Sequence, residues 1–310
     1  MNLADKRVLL TGGYGFLGQW VEKELMTRGV ASAFTPRHLN YDLRKRDDVQ
    51  RAFDMYKPHV VIHLAAAVGG IQANYENPGK FFYDNIVMGA EMMDVARERE
   101  VEKFVQVGTS CSYPAALVGK VHETQLWQGY PNEVTGPYGV AKLALITMAA
   151  AYRKQYGLNA ITLIPVNLYG PLDSFDPKKS HVIPALIVKA LEARKEYMPL
   201  TVWGTGDATR EFLYVEDAAR GIVTATELYD SPEPVNLGTG IETSIKELTY
   251  LVATAVKFYG PVEFDATKPE GQQRRVFDVS RAKREFGFEA TTSLADGIER
   301  TVNWYLEKHA

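Results

Sequence analysis

Short apolar runs alternate with segments of helical periodicity over the first 165 residues. The runs predict buried strands at residues 8–10, 31–35, 60–62, 104–107 and 160–164. Helices are predicted between them, ending near Arg28 and then covering residues 47–56, 78–98 and 138–156. In the 78–98 segment the helical spacing is carried by Phe81, Phe82, Ile86, Met92 and Val95. Strands alternating with helices predict a Rossmann-like α/β fold with a doubly wound parallel sheet.

The pattern changes after Pro165, where repeated prolines divide the chain into short elements. Residues 175–181 form a polar loop, and residues 183–193 predict a helix. A loop-rich second half of this kind typically closes over a ligand held at the carboxyl ends of the strands. We therefore expect a dinucleotide-binding domain at 1–166, with returning segments near 204–240, and a smaller α/β substrate lobe at 167–310.

Composition narrows the function classes. A net charge of −3 over 310 residues gives no bias towards nucleic acid or an anionic membrane, and no apolar stretch is long enough to span a bilayer. The single cysteine excludes an internal disulfide and a thiolate zinc site, and the histidines show no metal-ligand spacing. We expect a cytoplasmic protein with no metal, no nucleic-acid partner and no membrane partner.

A glycine turn follows the first predicted strand. Gly12, Gly15 and Gly18 form a GxxGxxG pattern, and Phe16 and Leu17 begin the helix that follows. Glycines allow close backbone approach, and a helix start offers N–H groups and a positive dipole end to a diphosphate. The strand before and the helix after make dinucleotide binding the preferred interpretation over a purely structural turn.

The end of the second predicted strand bears on the choice of cofactor. An NAD-selecting site usually has an acid there to hold the ribose hydroxyls, but this chain has Arg37. Arg37 can pair with a 2′-phosphate, which favours NADP(H), or it can be a surface arginine. Asp42 follows, and it can contact the adenine or cap the helix beginning near Asp47.

Tyr138 and Lys142 are four residues apart on a predicted helix and therefore share one face. A cation beside a phenol lowers the phenol pKa from about 10 towards neutrality, which suits a proton donor to a carbonyl. A Tyr–Lys pair at this spacing is usually an ordinary surface pair. Here Thr109 precedes it and can share the same substrate oxygen.

Cys111 and His181 are the remaining candidates for proton chemistry. Cys111 follows Thr109 closely, and His181 follows the polar loop in a position suited to a lid. A lone cysteine is normally a small core residue and a lone histidine a satisfied polar side chain, so spacing alone leaves both interpretations open.

Several longer motifs, taken together, resemble the extended short-chain dehydrogenase/reductase superfamily, and within it the GDP-L-fucose synthase family. The matching segments occur in order along nearly the whole chain: His63 to Asn74, Gly108 to Pro114, Pro137 to Lys142, Asn167 to Pro171, Ser180 to Leu186, Val202 to Gly204, Arg210 to Phe212 and Val235 to Gly240. The resemblance implies NADPH-dependent conversion of GDP-4-keto-6-deoxy-D-mannose by C3/C5 epimerisation and then C4 reduction.

The resemblance also implies residue roles. Thr109, Tyr138 and Lys142 match the reductase triad, and Cys111 and His181 match the epimerase acid/base pair. The positions matching the family's cofactor site are Gly12, Gly15, Phe16, Leu17, Gly18, Arg37, Asp42, Leu64, Ala65, Ala66, Lys142, Pro165, Asn167, Leu168 and His181. The positions matching its GDP-sugar site are Asn167, Lys189, Trp203 and Arg210. A homodimer through the 78–98 and 138–156 helices is a further expectation from the family.

Two departures from the family pattern leave alternatives. Thr109 replaces the usual serine, and Tyr14 replaces an arginine that several relatives carry inside the glycine turn, so cofactor choice depends on Arg37. Ser110-Cys111 stands where a 4,6-dehydratase needs an Asp-Glu pair, which argues against a dehydratase. The remaining alternatives are an enzyme for a related GDP-4-keto-sugar of the colitose or heptose type, and a non-catalytic NADP-binding sensor.

Overall fold

Strands and helices alternate along the first half of the chain. The computed structural model describes residues 1–30, 32–176, 180–268 and 274–309. Its strands are β1 (Arg7–Thr11), β2 (Ser32–Phe34), β3 (Val60–His63), β4 (Lys103–Val107), β5 (Gly119–Val121), β6 (Ala160–Pro165), β7 (Asn167–Tyr169), β8 (Leu200–Trp203), β9 (Thr209–Arg210), β10 (Phe212–Tyr214), β11 (Val235–Leu237), β12 (Thr243–Ser244), β13 (Val262–Asp265) and β14 (Arg275–Phe277). Its helices are α1 (Phe16–Thr27), α2 (Arg46–Tyr56), α3 (Ile71–Glu76), α4 (Pro78–Glu98), α5 (Gly136–Tyr156), α6 (Val182–Glu196), α7 (Val215–Leu228), α8 (Ile245–Ala255), α9 (Ser280–Phe286) and α10 (Leu294–His309). Within these ranges no helix combines the length and apolar character needed to cross a bilayer.

Six parallel strands form the central sheet in the order β2-β1-β3-β4-β6-β11. The chain runs from β1 outwards to β2 and then returns to the other side of β1 to form β3. The strand order therefore reverses between β1 and β3, which is where a doubly wound sheet opens a crevice for a ligand. The predicted fold class is confirmed.

Both faces of the sheet are covered. Every residue of β3, β4 and β6 is buried, as is all of β1 after Arg7. Successive strand residues point to opposite faces, so Leu9 and Leu10 enter different hydrophobic clusters, as do Val61 and Ile62. This burial explains why the strands appear in the sequence as continuous apolar runs.

The observed bounds agree with the predicted ones to within a few residues. The helix predicted at 78–98 is α4; of its apolar residues at helical spacing, Phe81, Met92 and Val95 are buried, whereas Phe82 is 38% exposed. The strand predicted at 31–35 is the shorter β2, and Ala31 lies outside the described residues. The predicted polar loop at 175–181 includes Pro177, Lys178 and Lys179, which also lie outside them.

A second hydrophobic core lies beyond β6. It is built from α6, α8 and α10 around the parallel pair β8 and β13, with Ile187, Leu248 and Ile298 fully buried. The short parallel pair β7 and β10 contributes Tyr169 and Tyr214 to the same core. Between these elements the chain returns to the core of the central sheet, first through α7 and β11 and later through β14 and α9.

Glu211 connects segments that are far apart in sequence. Its carboxylate is fully buried and accepts the N–H groups of Thr239 at 2.7 Å, Gly240 at 2.8 Å and Phe277 at 2.7 Å. Burial raises the pKa of Glu211, and these three backbone N–H groups act in the opposite direction. The loop after β11 and strand β14 are thereby fixed to the residue next to Arg210.

Candidate active site

The glycine turn lies at the reversal point of the sheet. Gly12 has a φ of +73°, and a Cβ there would lie 2.8 Å from the backbone nitrogen of Ala65. A Cβ at Gly18 would lie 2.1 Å from the carbonyl oxygen of Gly12. Helix α1 starts at Phe16 with Gly15 as its N-cap, so no capping side chain covers its first N–H groups. The geometry suits a diphosphate at this helix start.

Leu64, Ala65 and Ala66, the predicted cofactor residues, directly follow β3. This segment lies against the glycine turn. Leu64 N donates to the carbonyl of Thr11 at 3.2 Å, and Ala65 N donates to the Thr11 hydroxyl at 3.2 Å. The Thr11 side chain therefore holds the two sides of the crevice together.

Arg37 and Asp42 lie in the loop after β2. The exposed Arg37 guanidinium lies 4.6 Å from the centroid of the Tyr14 ring, so Arg37 contacts a residue inside the glycine turn. The Asp42 carboxylate accepts hydrogen bonds from the Arg44 side chain at 2.8 Å, which hold its pKa well below the usual range. Asp42 does not cap α2, because the N-cap of that helix is Lys45.

Thr109, Cys111 and Tyr138 meet where β4 ends. The Thr109 hydroxyl accepts the Cys111 N–H at 3.2 Å and hydrogen-bonds the Tyr138 hydroxyl. Helix α5 approaches closely because Gly139 lacks a side chain: a Cβ there would lie 2.4 Å from the Cys111 carbonyl oxygen. Ser112 strengthens the contact by donating to the Gly139 carbonyl at 3.0 Å. One hydroxyl, one thiol and one phenol therefore share a single small site.

Burial keeps Tyr138 protonated. Its side chain is 8% exposed, and burial raises its pKa, as does Cys111, while the bond from Thr109 acts in the opposite direction. Lys142 is 2% exposed and donates to the carbonyl of Val107 at 3.1 Å, and burial lowers its pKa to about 8. The expectation that Lys142 lowers the pKa of Tyr138 is therefore wrong for this arrangement, because desolvation dominates and the ammonium is bound to Val107.

A row of buried polar residues crosses the sheet near Lys142. Thr11, His63, Gln106 and Thr162 are register partners on β1, β3, β4 and β6, and none is more than 1% exposed. His63 Nδ1 lies 2.8 Å from the Thr11 hydroxyl, and burial, followed by the nearby Lys142, lowers its pKa to about 3. His63 was named before only as the start of a matching segment and among the histidines without metal-ligand spacing. The sequence signal for this buried polar side chain was its place at the end of the apolar run 60–62.

His181 lies on the second lobe as the N-cap residue of α6. It retains an exposed surface, yet the surrounding protein desolvates the imidazole and lowers its pKa. Nearby in sequence, burial raises the pKa of Asp173 to about 7, and its Oδ2 has no hydrogen-bond partner among the described residues. Asp173 is a second titratable group that the sequence analysis missed.

The residues assigned to the GDP-sugar, and the cofactor positions at residues 165–168, lie on several elements. Lys189 of α6 has its ammonium 5.3 Å from the centroid of the Trp203 ring at the end of β8. Asn167 donates its side-chain amide to the Glu211 carbonyl at 2.8 Å, between Pro165 at the end of β6 and Leu168 on β7. Arg210 lies on β9, where Nη1 donates to the Thr209 carbonyl at 2.7 Å.

A doubly wound sheet with a glycine turn at its reversal point and a buried tyrosine–lysine helix beside it is typical of dinucleotide-dependent oxidoreductases and epimerases. The family model described as NAD dependent epimerase/dehydratase matches residues 8–238, and the chain belongs to this family.

Known proteins of this family resemble the chain over its full length. It is 38% identical to the GDP-L-fucose synthase of Sinorhizobium fredii, over 100% of this chain and 99% of that protein. The structure of a GDP-L-fucose synthetase from Naegleria fowleri bound to NADP has a TM-score of 0.91 at 29% identity, covering 99% of this chain and 94% of that one. A GDP-6-OMe-4-keto-L-xylo-heptose reductase from C. jejuni has a TM-score of 0.92 at 27% identity, covering 98% of this chain and 99% of that one.

Proposed function

We propose that the chain is an NADPH-dependent epimerase/reductase that converts GDP-4-keto-6-deoxy-D-mannose to GDP-L-fucose. The observation that carries this proposal is the meeting of Thr109, Cys111 and a protonated Tyr138 at the end of β4. A simple ketone reductase needs the two hydroxyls but not the thiol. The thiol supplies a group that can exchange protons at a carbon beside the ketone.

The chemistry assigned to these residues begins with epimerisation. The protons at C3 and C5 of a 4-ketosugar are acidic because the electron pair left by C–H cleavage moves onto the C4 oxygen. Thr109 and Tyr138 hydrogen-bond that oxygen and stabilise the enolate. One of Cys111 and His181 takes the proton from carbon, and the other returns a proton from the opposite ring face.

Reduction follows once the stereochemistry is set. The glycine turn, residues 64–66 and Lys142 would hold NADPH, which would supply a hydride to C4. Tyr138 then gives its proton to the C4 oxygen, and its raised pKa means that this proton is present at neutral pH. The absence of a side chain at Gly12 and Gly15 and the helix start at Phe16 fit the cofactor diphosphate.

A related substrate is the main alternative. The close fit to a heptose reductase favours a GDP-4-keto-sugar of the heptose type, and a colitose-type sugar uses the same chemistry. A non-catalytic NADP-binding sensor is disfavoured because the hydroxyl, thiol, tyrosine and lysine are all assembled at one site.

The proposal extends to assembly and location. We propose a GDP-sugar-binding homodimer of the cytoplasm, formed through the outer faces of α4 and α5, which pack against each other on one face of the central sheet. Light scattering on the purified full-length chain tests the stoichiometry. A mass of 34.6 kDa in solution would contradict the dimer.

Product analysis tests the proposed reaction. The full-length protein is incubated with GDP-4-keto-6-deoxy-D-mannose and NADPH, and the product is identified by NMR; GDP-L-fucose is expected. The same ketosugar in D₂O without NADPH should take up deuterium at C3 and C5, because proton exchange needs no hydride.

Two variants test which side chains are responsible for proton exchange at C3 and C5. Cys111→Ala and His181→Ala should each lose or misdirect deuterium uptake, whereas His309→Ala on α10 serves as a surface histidine control. If Cys111 has only a packing role, Cys111→Ala would lower the free energy of unfolding by roughly 1–2 kcal/mol and leave deuterium uptake at C3 and C5 intact. Unchanged uptake at both carbons in both variants would refute the epimerase assignment.

A further inference from the structure

Tyr14 and Arg37 meet where the glycine turn lies against the end of β2. A Cβ at Gly13 would lie 2.3 Å from the Thr35 hydroxyl oxygen, so the glycine allows the turn to approach this strand end closely. Tyr14 directly follows Gly13, and Arg37 lies two residues after Thr35. The close approach of the two backbones therefore brings the Tyr14 and Arg37 side chains together.

The contact between Tyr14 and Arg37 is made by exposed side chains. The Arg37 guanidinium carbon lies 4.6 Å from the centroid of the Tyr14 ring, and a hydrogen bond with the Tyr14 hydroxyl raises the pKa of Arg37. Tyr14 is 56% exposed, so its ring does not serve the core. The Arg37 carbonyl accepts the N–H groups of Asn40 and Tyr41, both at 2.9 Å. Both the backbone and the side chain of Arg37 are therefore held in place.

The positive charge of Arg37 is not neutralised by an acidic side chain in the part of the chain that the structure describes. Asp42, the acid that follows it in the same loop, is instead paired with Arg44 at 2.8 Å. The side-chain contacts of Arg37 within the described ranges are those with Tyr14. The guanidinium is therefore available to an anionic ligand.

The place of this pair in the sheet determines which part of a dinucleotide it can reach. β1 and β2 are neighbouring parallel strands, so the glycine turn after β1 and the Arg37 loop after β2 lie at the same edge of the sheet. In a doubly wound sheet the diphosphate binds at the first turn, and the end of the second strand meets the ribose. An arginine there accommodates a 2′-phosphate, because a guanidinium can donate two N–H groups to phosphate oxygens.

We propose that Tyr14 is a positioning residue for cofactor selection: its ring holds the Arg37 guanidinium at the end of β2, where it would bind the 2′-phosphate of NADP(H). The inference rests on the proposed NADPH dependence and adds the residue that keeps the selecting cation in place. An exposed arginine loses side-chain rotamer freedom when it binds an anion, and a ring that already holds the guanidinium lowers this cost.

Binding of two adenine nucleotides tests the proposal without turnover. Adenosine 2′,5′-bisphosphate and adenosine 5′-monophosphate differ only in the 2′-phosphate, so the ratio of their dissociation constants isolates the recognition of that group. Isothermal titration calorimetry measures both constants for the full-length wild type, Tyr14→Phe, Tyr14→Leu, Arg37→Ala and the double variant Tyr14→Leu/Arg37→Ala. Phenylalanine keeps the ring, and leucine removes it. Tyr156→Leu is the matched control, because the exposed Tyr156 ring also faces a guanidinium, that of Arg97, at 4.9 Å.

The preference for the bisphosphate should depend on the Tyr14 ring and only through Arg37. We expect the wild type to bind the bisphosphate about tenfold or more tightly than the monophosphate. Tyr14→Leu should lower this preference about fivefold, the size of one exposed cation–π contact, whereas Tyr14→Phe and Tyr156→Leu should stay within about twofold of the wild type. Arg37→Ala should lose most of the preference, and adding Tyr14→Leu to it should cause no further loss.

Two results would overturn the proposal. One is a preference in Tyr14→Leu that stays within about twofold of the wild type, and the other is an equal effect of Tyr14→Leu with and without Arg37, since Tyr14 would then act independently of the guanidinium. Circular dichroism checks folding, and if Tyr14→Leu does not fold, Tyr14→Ser, which also lacks the ring, is judged by the same criteria.

Failure of the proposed cofactor is distinguishable from failure of this inference. Equal wild-type affinities for the two nucleotides would refute the NADP(H) assignment itself, and this inference with it. A clear wild-type preference for the bisphosphate that is insensitive to Tyr14 would refute the role of Tyr14 alone.

Discussion

Lys142→Met should change how stability depends on pH, and the size of the change follows from burial. The Lys142 ammonium is 2% exposed and has a pKa of about 8, whereas an exposed lysine has about 10.4. Between these values the unfolded chain holds a proton that the folded chain has released. Stability therefore rises as the pH rises through this range.

The difference between the two pKa values corresponds to a change of about 3 kcal/mol in the free energy of unfolding. Methionine has a similar length and no charge, so the variant lacks this contribution. The free energy of unfolding of the wild type minus that of Lys142→Met should therefore increase by about 3 kcal/mol between pH 7.5 and 10.5. Urea unfolding, followed by the fluorescence of the four tryptophans, measures it at each pH.

Lys103 provides a matched control. It is 3% exposed, donates to the Tyr229 carbonyl, and has its pKa lowered by burial to about 8. Lys103→Met should show the same pH signature in stability but retain turnover, whereas Lys142→Met should lose turnover as well. Parallel stability curves for the wild type and Lys142→Met would refute the reasoning, because they would mean that burial does not shift the titration of Lys142.

Three further outcomes are expected. Tyr138→Phe should lower hydride transfer by roughly 10² or more while substrate binding stays nearly intact, and near-normal turnover would contradict the proton-donor role. Arg37→Ala should reduce the preference for NADPH over NADH, measured as the ratio of kcat/KM values, and an NADH-favouring ratio that Arg37→Ala leaves unchanged would remove Arg37 from cofactor selection. Glu211→Ala leaves three backbone N–H groups, one of them buried and two part-buried, without their acceptor. It should lower the free energy of urea unfolding by roughly 3 kcal/mol or more, and a loss below about 1 kcal/mol would contradict the account of Glu211.

The fold class could be predicted from the sequence because the central strands are buried on both faces and therefore appear as continuous apolar runs. The predicted bounds of α4 are confirmed, since Pro78 begins the helix and the helical spacing continues to Glu98. Phe82 is one of the apolar residues at helical spacing and is nevertheless exposed, so periodicity alone does not decide which apolar residues of a helix are buried.

The candidate site was only partly predictable. Thr109, Cys111 and Tyr138 belong to recognisable motifs, and the structure brings them together. The hydrogen bond from Arg275 to the Pro114 carbonyl beside the Cys111 turn could not be predicted, because it depends on the pairing of β14 with β5, which no local pattern encodes. The pKa of Tyr138 was mispredicted because helical spacing says nothing about the Val107 carbonyl that binds Lys142.

The buried histidine of the sheet sets an acid limit on handling the protein. His63 has a pKa of about 3 in the folded chain, whereas an unfolded histidine titrates near 6.5, so the unfolded state gains a proton first as the pH falls. Acidification from pH 6.5 towards 3 therefore removes up to about 5 kcal/mol of stability through this one imidazole. Acid elution from affinity resins and acidic crystallisation screens are therefore expected to destabilise the folded chain, and buffers above pH 7 avoid this loss.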